Sequence, residues 1–175
     1  SKLGKLTRYG PPDNPMLTPE QLSAMMKASA SNPLGIPNLT SLQLRQLFSH
    51  FAPVWEIDTR NDTDKIGAVV IGSNDQPQID INLPTVYINH SYNRWHGNML
   101  LQLIYQIWLP AREKTDILDL YGGSLDSVIW RVTLDTEGTP IAYDSIHACG
   151  CYYLLFPAKG YRAITPKDGA EPVLS

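Results

Sequence analysis

The sequence predicts an α+β domain in which two N-terminal helices pack on a mainly antiparallel, twisted β-sheet of about six to eight strands. Three observations lead to this class. The same helix-start signal occurs twice near the N-terminus, the hydrophobic period changes to two after Pro53, and a clear hairpin pattern lies further along the chain. A chain of 175 residues is long enough to bury the core of one such domain.

Glycine and proline divide the chain into three parts. Residues 1–15 predict an extended N-terminal arm, residues 16–165 a single α+β domain, and residues 166–175 a C-terminal tail. The chain begins with a serine, so we interpret it as a mature form that has lost a leader or as part of a longer protein.

The two helices are predicted from the stretches LTPEQL and LTSLQL. In each stretch the threonine hydroxyl is suited to accept a hydrogen bond from a backbone amide of the first turn. The glutamine three residues later completes a capping box. We therefore expect helices capped by Thr18 and Thr40, ending near Ala30 and Phe51, before the prolines that follow.

Most of the remaining chain predicts half-buried strands of an antiparallel sheet. Four stretches alternate in polarity or are rich in β-branched residues: VWEIDT, KIGAVVI, QIDINLP and TVYIN. Residues 99–110 fit either a strand or a helix with a glutamine stripe, and their aromatic and isoleucine content favours a strand. Residues 128–147 predict a hairpin with Gly138 in its turn. The polar residues 89–98 predict a loop.

Charge and composition argue against some function classes. The net charge is −3 and lysines and arginines do not cluster, so we expect no nucleic-acid partner, because a phosphate backbone requires several basic contacts. No apolar stretch approaches the roughly 20 residues of a transmembrane segment, so no transmembrane segment is predicted. Charged residues make up only 18%, a balance that favours an extracytoplasmic location, periplasmic or secreted, over the cytoplasm.

The residues best suited to chemistry lie in the stretch YDSIHACGCYYLLFP, which contains both cysteines of the chain. On a straight strand, His147, Cys149 and Cys151 would follow one another at about 6.5–7 Å, which is too far apart for one metal ion. Gly150 marks a bulge or a turn. If the chain turns there, His147 and Cys151 converge and Cys149 lies at the apex.

These residues predict a small, zinc-like transition-metal site. Thiolates and imidazole are the ligands that zinc and Cu(I) prefer, so His147, Cys149 and Cys151 are the expected ligands and zinc is the cofactor they imply. We expect the fourth ligand to come from the polar loop, from His96 or from His90.

The same stretch leaves other functions open. A thiol-dependent hydrolase or transferase would use Cys149 or Cys151 as nucleophile, His147 or His96 as base, and a carboxylate, Asp144 or Asp126, to orient the imidazole.

A dithiol that cycles to a disulfide is a further use, although a bridge between cysteines two residues apart closes a small, strained ring. A non-catalytic ligand- or protein-binding β domain is the alternative without chemistry, since free cysteines often pack as small hydrophobes.

Arg94 and Trp95 form a second candidate site. Trp95 stands among polar residues, where a role in the hydrophobic core is least natural. A tryptophan beside an arginine therefore predicts a ligand-binding role for both residues.

Overall fold

The structure, a computed structural model, describes residues 4–11, 16–110 and 125–164. Of the described residues, strands make up 45% and helices 17%, so this part of the chain is mainly β. The predicted α+β class is therefore wrong, although the two predicted N-terminal helices are present. Within the described residues the strands form three separate antiparallel sheets, because several of the predicted strands pair only with a near neighbour. The predicted tail 166–175 lies outside the described residues.

Two short helices, α1 (Pro19–Ser29) and α2 (Ser41–His50), begin at the predicted capping boxes. Thr18 Oγ1 accepts a hydrogen bond from the Gln21 amide at 3.2 Å, and Gln21 Oε1 accepts one from the Thr18 amide at 2.9 Å. Thr40 caps α2 in the same way. The predicted helices are confirmed. In the described part of the chain, neither is long and apolar enough to cross a membrane.

Two of the sheets have only two strands each. One pairs β1 (Lys5–Tyr9) with β2 (Trp55–Thr59), and the other pairs β3 (Ala68–Ile71) with β4 (Pro77–Asp80). Part of the predicted N-terminal arm is thus a paired strand.

The dominant sheet has five antiparallel strands that follow one another in chain order. They are β5 (Val86–Trp95), β6 (Asn98–Pro110), β7 (Leu125–Leu134), β8 (Pro140–His147) and β9 (Leu154–Pro157). The predicted strand over residues 99–110 and the predicted hairpin over residues 128–147 are both confirmed.

The predicted loop at residues 89–98 is wrong. These residues form the end of β5, a two-residue turn and the start of β6. His96 and Gly97 have φ of 48° and 81°, the left-handed values that a type I′ hairpin turn requires. The composition was misleading because β5 is an edge strand, where polar side chains face water.

One face of the five-stranded sheet, the helix face, packs against both helices. Its central side chains are joined to α2 by a buried hydrogen bond from the Tyr105 hydroxyl to the Phe48 carbonyl at 2.9 Å. The buried residues of this core are Leu22, Met26, Leu47, Phe48, Leu101, Leu103, Tyr105, Val132 and Leu134.

The opposite face, the polar face, contains hydrogen-bonded side chains at its centre. Gln102 donates to Thr133 Oγ1 at 3.1 Å and accepts from Ser91 at 3.2 Å. Beside them, Arg131 Nε donates to Asp144 Oδ1 at 2.5 Å. Burial raises the pKa of the Asp144 carboxyl, and the Arg131 guanidinium opposes this rise.

Gly138 tests how closely α1 packs on the β7–β8 turn. It has φ +82°, and a Cβ atom there would lie 3.2 Å from both Leu22 Cβ and Met26 Cγ. We expect Gly138→Ala to lower the free energy of unfolding by about 2 kcal/mol, because left-handed strain and crowding add.

Gly97→Ala is the matched control, since its φ of +81° is nearly equal and no heavy atom lies within 4 Å of the added Cβ. It should lose only the backbone contribution. Equal losses for the two variants in urea unfolding would contradict the close packing of α1.

Candidate functional site: the cysteine turn

The cysteine turn, residues 147–151, follows β8 and carries both cysteines. The Gly150 amide donates to the His147 carbonyl at 2.8 Å, and the His147 amide donates to the Cys151 carbonyl at 3.1 Å. Gly150 has φ +84°, as expected for the left-handed residue that follows a type I turn in a three-residue hairpin loop. The bend predicted at Gly150 is therefore present.

The turn is attached to the buried end of β7. The Ala148 amide donates to the Ser127 carbonyl at 3.1 Å. Ser127 is only 1% exposed, and its hydroxyl accepts a hydrogen bond from Gln106 Nε2 at 2.8 Å. The pairing of β6 with β7 therefore fixes the position of the cysteines.

Both thiols are free, and neither is packed in the core: Cys149 is exposed and Cys151 is half-buried. The side chain of Cys151 hydrogen-bonds to the Cys149 sulfur and lowers the pKa of the Cys149 thiol, with help from the Cys151 backbone amide. The negative charge of Asp126 acts in the opposite direction. The same hydrogen bond raises the pKa of the Cys151 thiol. Cys149 is thus the more acidic of two neighbouring thiols.

His147 is oriented by Asp126. Its Nδ1 lies 3.4 Å from Asp126 Oδ1, and its ring centroid lies 5.2 Å from that of Tyr152. Asp126 therefore occupies the place of the predicted orienting carboxylate. Among the hydrogen bonds of the described residues, none joins the imidazole to a sulfur.

Asp144 does not belong to this site, and its predicted role as the orienting carboxylate is wrong. Asp144 and His147 are three residues apart in β8, so their side chains project to opposite faces of the sheet. Asp144 instead pairs with Arg131, which lies directly across from it on β7.

His96 lies at the other end of the sheet. Ile107 of β6 pairs with Val128, which in turn pairs with His147. Ile107 is nine residues along β6 from Asn98, next to the His96 turn, which corresponds to about 30 Å. Joint ligation of one ion by His96 and the cysteine turn does not fit this register.

The predicted four-ligand metal centre is therefore not assembled. Within residues 4–11, 16–110 and 125–164, no three side chains of His, Cys, Asp or Glu are grouped so that they would hold a metal ion. His90, the other expected ligand, pairs with Leu103 in the middle of the β5–β6 hairpin. The cysteine turn itself supplies only two thiols, Cys149 and Cys151, to such a centre.

The second predicted site is a cleft at the opposite end of the sheet, here called the Trp95 cleft. Arg94 and Trp95 line it, together with Tyr161 and Arg162 from the segment after β9. Its volume is about 220 Å³. Both predicted binding residues line this cavity. Because Arg94 alternates with Trp95 in β5, its side chain starts from the opposite face of the sheet, the face of Tyr92.

The chain matches no protein-family model, no curated protein and no solved structure. Its function is therefore argued from its own side chains.

Sequence reasoning missed two residues of the cysteine turn's surroundings. Ser127, whose carbonyl anchors the turn, is distant in sequence and carries no local signal. Tyr152 has φ +56°, which is uncommon for a bulky residue, and its ring covers the His147 ring.

The contact between the thiols predicts the pH dependence of Cys149 alkylation. Because its folded-state pKa is lowered, the reactive thiolate should form at lower pH than in the unfolded chain, whose thiols have a pKa of about 8.5. Cys151→Ala removes the main cause and should move the midpoint upward. Iodoacetamide labelling across pH, located by peptide mass spectrometry, measures both. Identical midpoints for the folded parent, the variant and the urea-unfolded chain would disprove the interaction.

Proposed function

We propose that the cysteine turn is a surface dithiol for thiol–disulfide exchange, with Cys149 as the attacking thiolate and Cys151 as the resolving thiol. The observation that carries this proposal is the position of two free thiols, one exposed and one half-buried, on the same three-residue turn. Exchange requires a thiolate that a partner disulfide can reach and a second thiol close by. Cys149 and Cys151 have these two properties.

The reaction takes place in two displacements. The Cys149 thiolate attacks one sulfur of a disulfide substrate, forms a mixed disulfide and releases the first substrate thiolate. Cys151, as its thiolate, then attacks the Cys149 sulfur and releases the second substrate thiolate. The substrate disulfide is reduced by two electrons, and a Cys149–Cys151 disulfide is formed.

The short loop determines the direction in which this disulfide reacts further. A bridge between residues two apart closes a small ring, and strained disulfides have more oxidising potentials than relaxed ones. The pair is therefore suited to passing its disulfide on to other thiols. The exposed position of Cys149 gives such partners access.

A thiol-dependent hydrolase or transferase is supported less well by the same geometry. It would need the imidazole of His147 as a base at a sulfur. Among the hydrogen bonds of the described residues, none joins the His147 imidazole to either sulfur, and its Nδ1 faces Asp126.

Thiol–disulfide exchange predicts how many thionitrobenzoate ions the protein releases, and the Cys151→Ser variant changes this number. With a small excess of 5,5′-dithiobis(2-nitrobenzoate), the parent protein should release two thionitrobenzoate ions and lose two hydrogens by mass, without retaining the reagent. Cys151→Ser should release one and retain the mixed disulfide.

Cys149→Ser is the second variant, and its remaining thiol should react more slowly than Cys149 does in Cys151→Ser, because Cys151 is half-buried and Cys149 is exposed. A parent protein that retains two mixed disulfides, with no internal bridge, would rule out the resolving role of Cys151.

A soft transition-metal ion, zinc or Cu(I), is the second candidate for the same turn. Two free thiols in one turn favour it, because thiolates are the ligands that zinc and Cu(I) prefer. The protein would supply Cys149 and Cys151 as ligands. His147 would join only by leaving Asp126, and other positions would remain open.

Metal binding predicts protection of both thiols. Zinc added to the reduced protein should slow alkylation of Cys149 and Cys151 together and raise the melting temperature; at 100 times Kd the stabilisation is about 2.7 kcal/mol. Either single Cys→Ser variant should lose both effects. If zinc changes neither the alkylation rate nor the melting temperature of the parent protein, metal binding is ruled out. The proposal of thiol–disulfide exchange is not affected by that result.

A further inference from the structure

The Trp95 cleft has a buried apolar floor. Leu100, Ile141 and Ala142 are 4%, 5% and 3% exposed, and they pack together with Trp95 and Leu155. Leu100 lies on β6 and Ile141 and Ala142 lie on β8, on either side of β7, towards the end of the sheet that lies away from the cysteine turn.

A β-bulge shapes this floor. Thr133 of β7 pairs with Ala142, whereas the next residue, Leu134, pairs with Pro140. Ile141 is therefore an extra residue in β8, which allows two consecutive side chains, Ile141 and Ala142, to line the same cleft.

The segment after β9 forms the wall of the cleft. The Ala158 amide donates to the Ile141 carbonyl at 3.0 Å, and the Tyr161 amide donates to the Ala158 carbonyl at 3.0 Å. Gly160, with φ +93°, permits the turn between them. The turn brings the Tyr161 ring to a centroid distance of 6.4 Å from the Trp95 ring.

The charge of the cleft has one sign. Arg94 and Arg162 are among its lining residues, and no Asp or Glu of residues 4–11, 16–110 and 125–164 lines it. Within the described part of the chain, neither arginine forms a salt bridge with a carboxylate. An apolar floor with two aromatic side chains and the guanidinium group of Arg162 is complementary to an apolar molecule that carries an anionic group.

We propose that the Trp95 cleft binds a small aromatic carboxylate. The aromatic ring of the ligand lies on the floor formed by Leu100 and Ala142, against Trp95 and Tyr161, and its carboxylate accepts hydrogen bonds from Arg162. The volume of about 220 Å³ is below the roughly 300–1,000 Å³ of drug-sized pockets, which limits the ligand to one or two rings.

This site is independent of thiol chemistry. The register of β6 separates its Trp95 end from the cysteine turn by about 30 Å, so one small molecule does not reach both. The proposal of a carboxylate site is therefore tested independently of the proposal of a dithiol site.

Indole-3-acetate and its neutral amide, indole-3-acetamide, are the matched probes. Titration of the ¹⁵N-labelled protein, followed by NMR, should shift the indole N–H signal of Trp95. We expect the carboxylate to bind about tenfold more tightly than the amide, because a charged hydrogen bond strengthens only the carboxylate. Arg162→Gln should weaken binding of the carboxylate and leave binding of the amide unchanged, whereas Arg94→Gln should alter neither, because its side chain starts from the other face of β5.

Arg45→Gln is the control, since Arg45 lies on α2 and lines a different cleft. It should alter neither affinity. Trp95→Phe should weaken both probes, and a melting curve checks that the variant is folded. Equal affinity for acid and amide, shifts that avoid Trp95, or no binding of either probe at millimolar concentration would each overturn the proposal.

Discussion

The pairing of β6 with β5 on one side and β7 on the other is the constraint on which the rest of the structure depends. β6 is the longest strand, and its register with each neighbour extends over ten residue pairs. Because side chains alternate along a strand, this register assigns Tyr105 to the helix face and Gln102 to the polar face. A slip of one residue would exchange the two faces and expose the core of the protein.

The same register places the two candidate sites at opposite ends of the sheet. At one end, the anchored Ser127 carbonyl holds the cysteine turn. At the other end, the bulge at Ile141 and the segment through Tyr161 form the Trp95 cleft. In both places an irregular residue interrupts the regular hydrogen bonding between strands. Because of this interruption, nearby side chains point in directions that a regular strand does not allow.

Local signals in the sequence were sufficient for the features that depend on neighbouring residues. The capping boxes at Thr18 and Thr40 and the bend at Gly150 each depend on a few adjacent residues and were predicted. The placements of Asp144 and His96 depend on strand register, which is set by residues far away in the chain. These placements were therefore not predicted. The fold class failed for the same reason, since alternation predicts strands but does not say which strands pair.

A spin label on Cys149 in a Cys151→Ser variant tests the central register most directly. Paramagnetic broadening of amide signals should be strongest at Ser127 and Val128 and should fall steadily along β7 towards Leu134, with His96 and Gly97 unaffected. Strong broadening at the His96–Gly97 turn would contradict the register and, with it, the separation of the two sites.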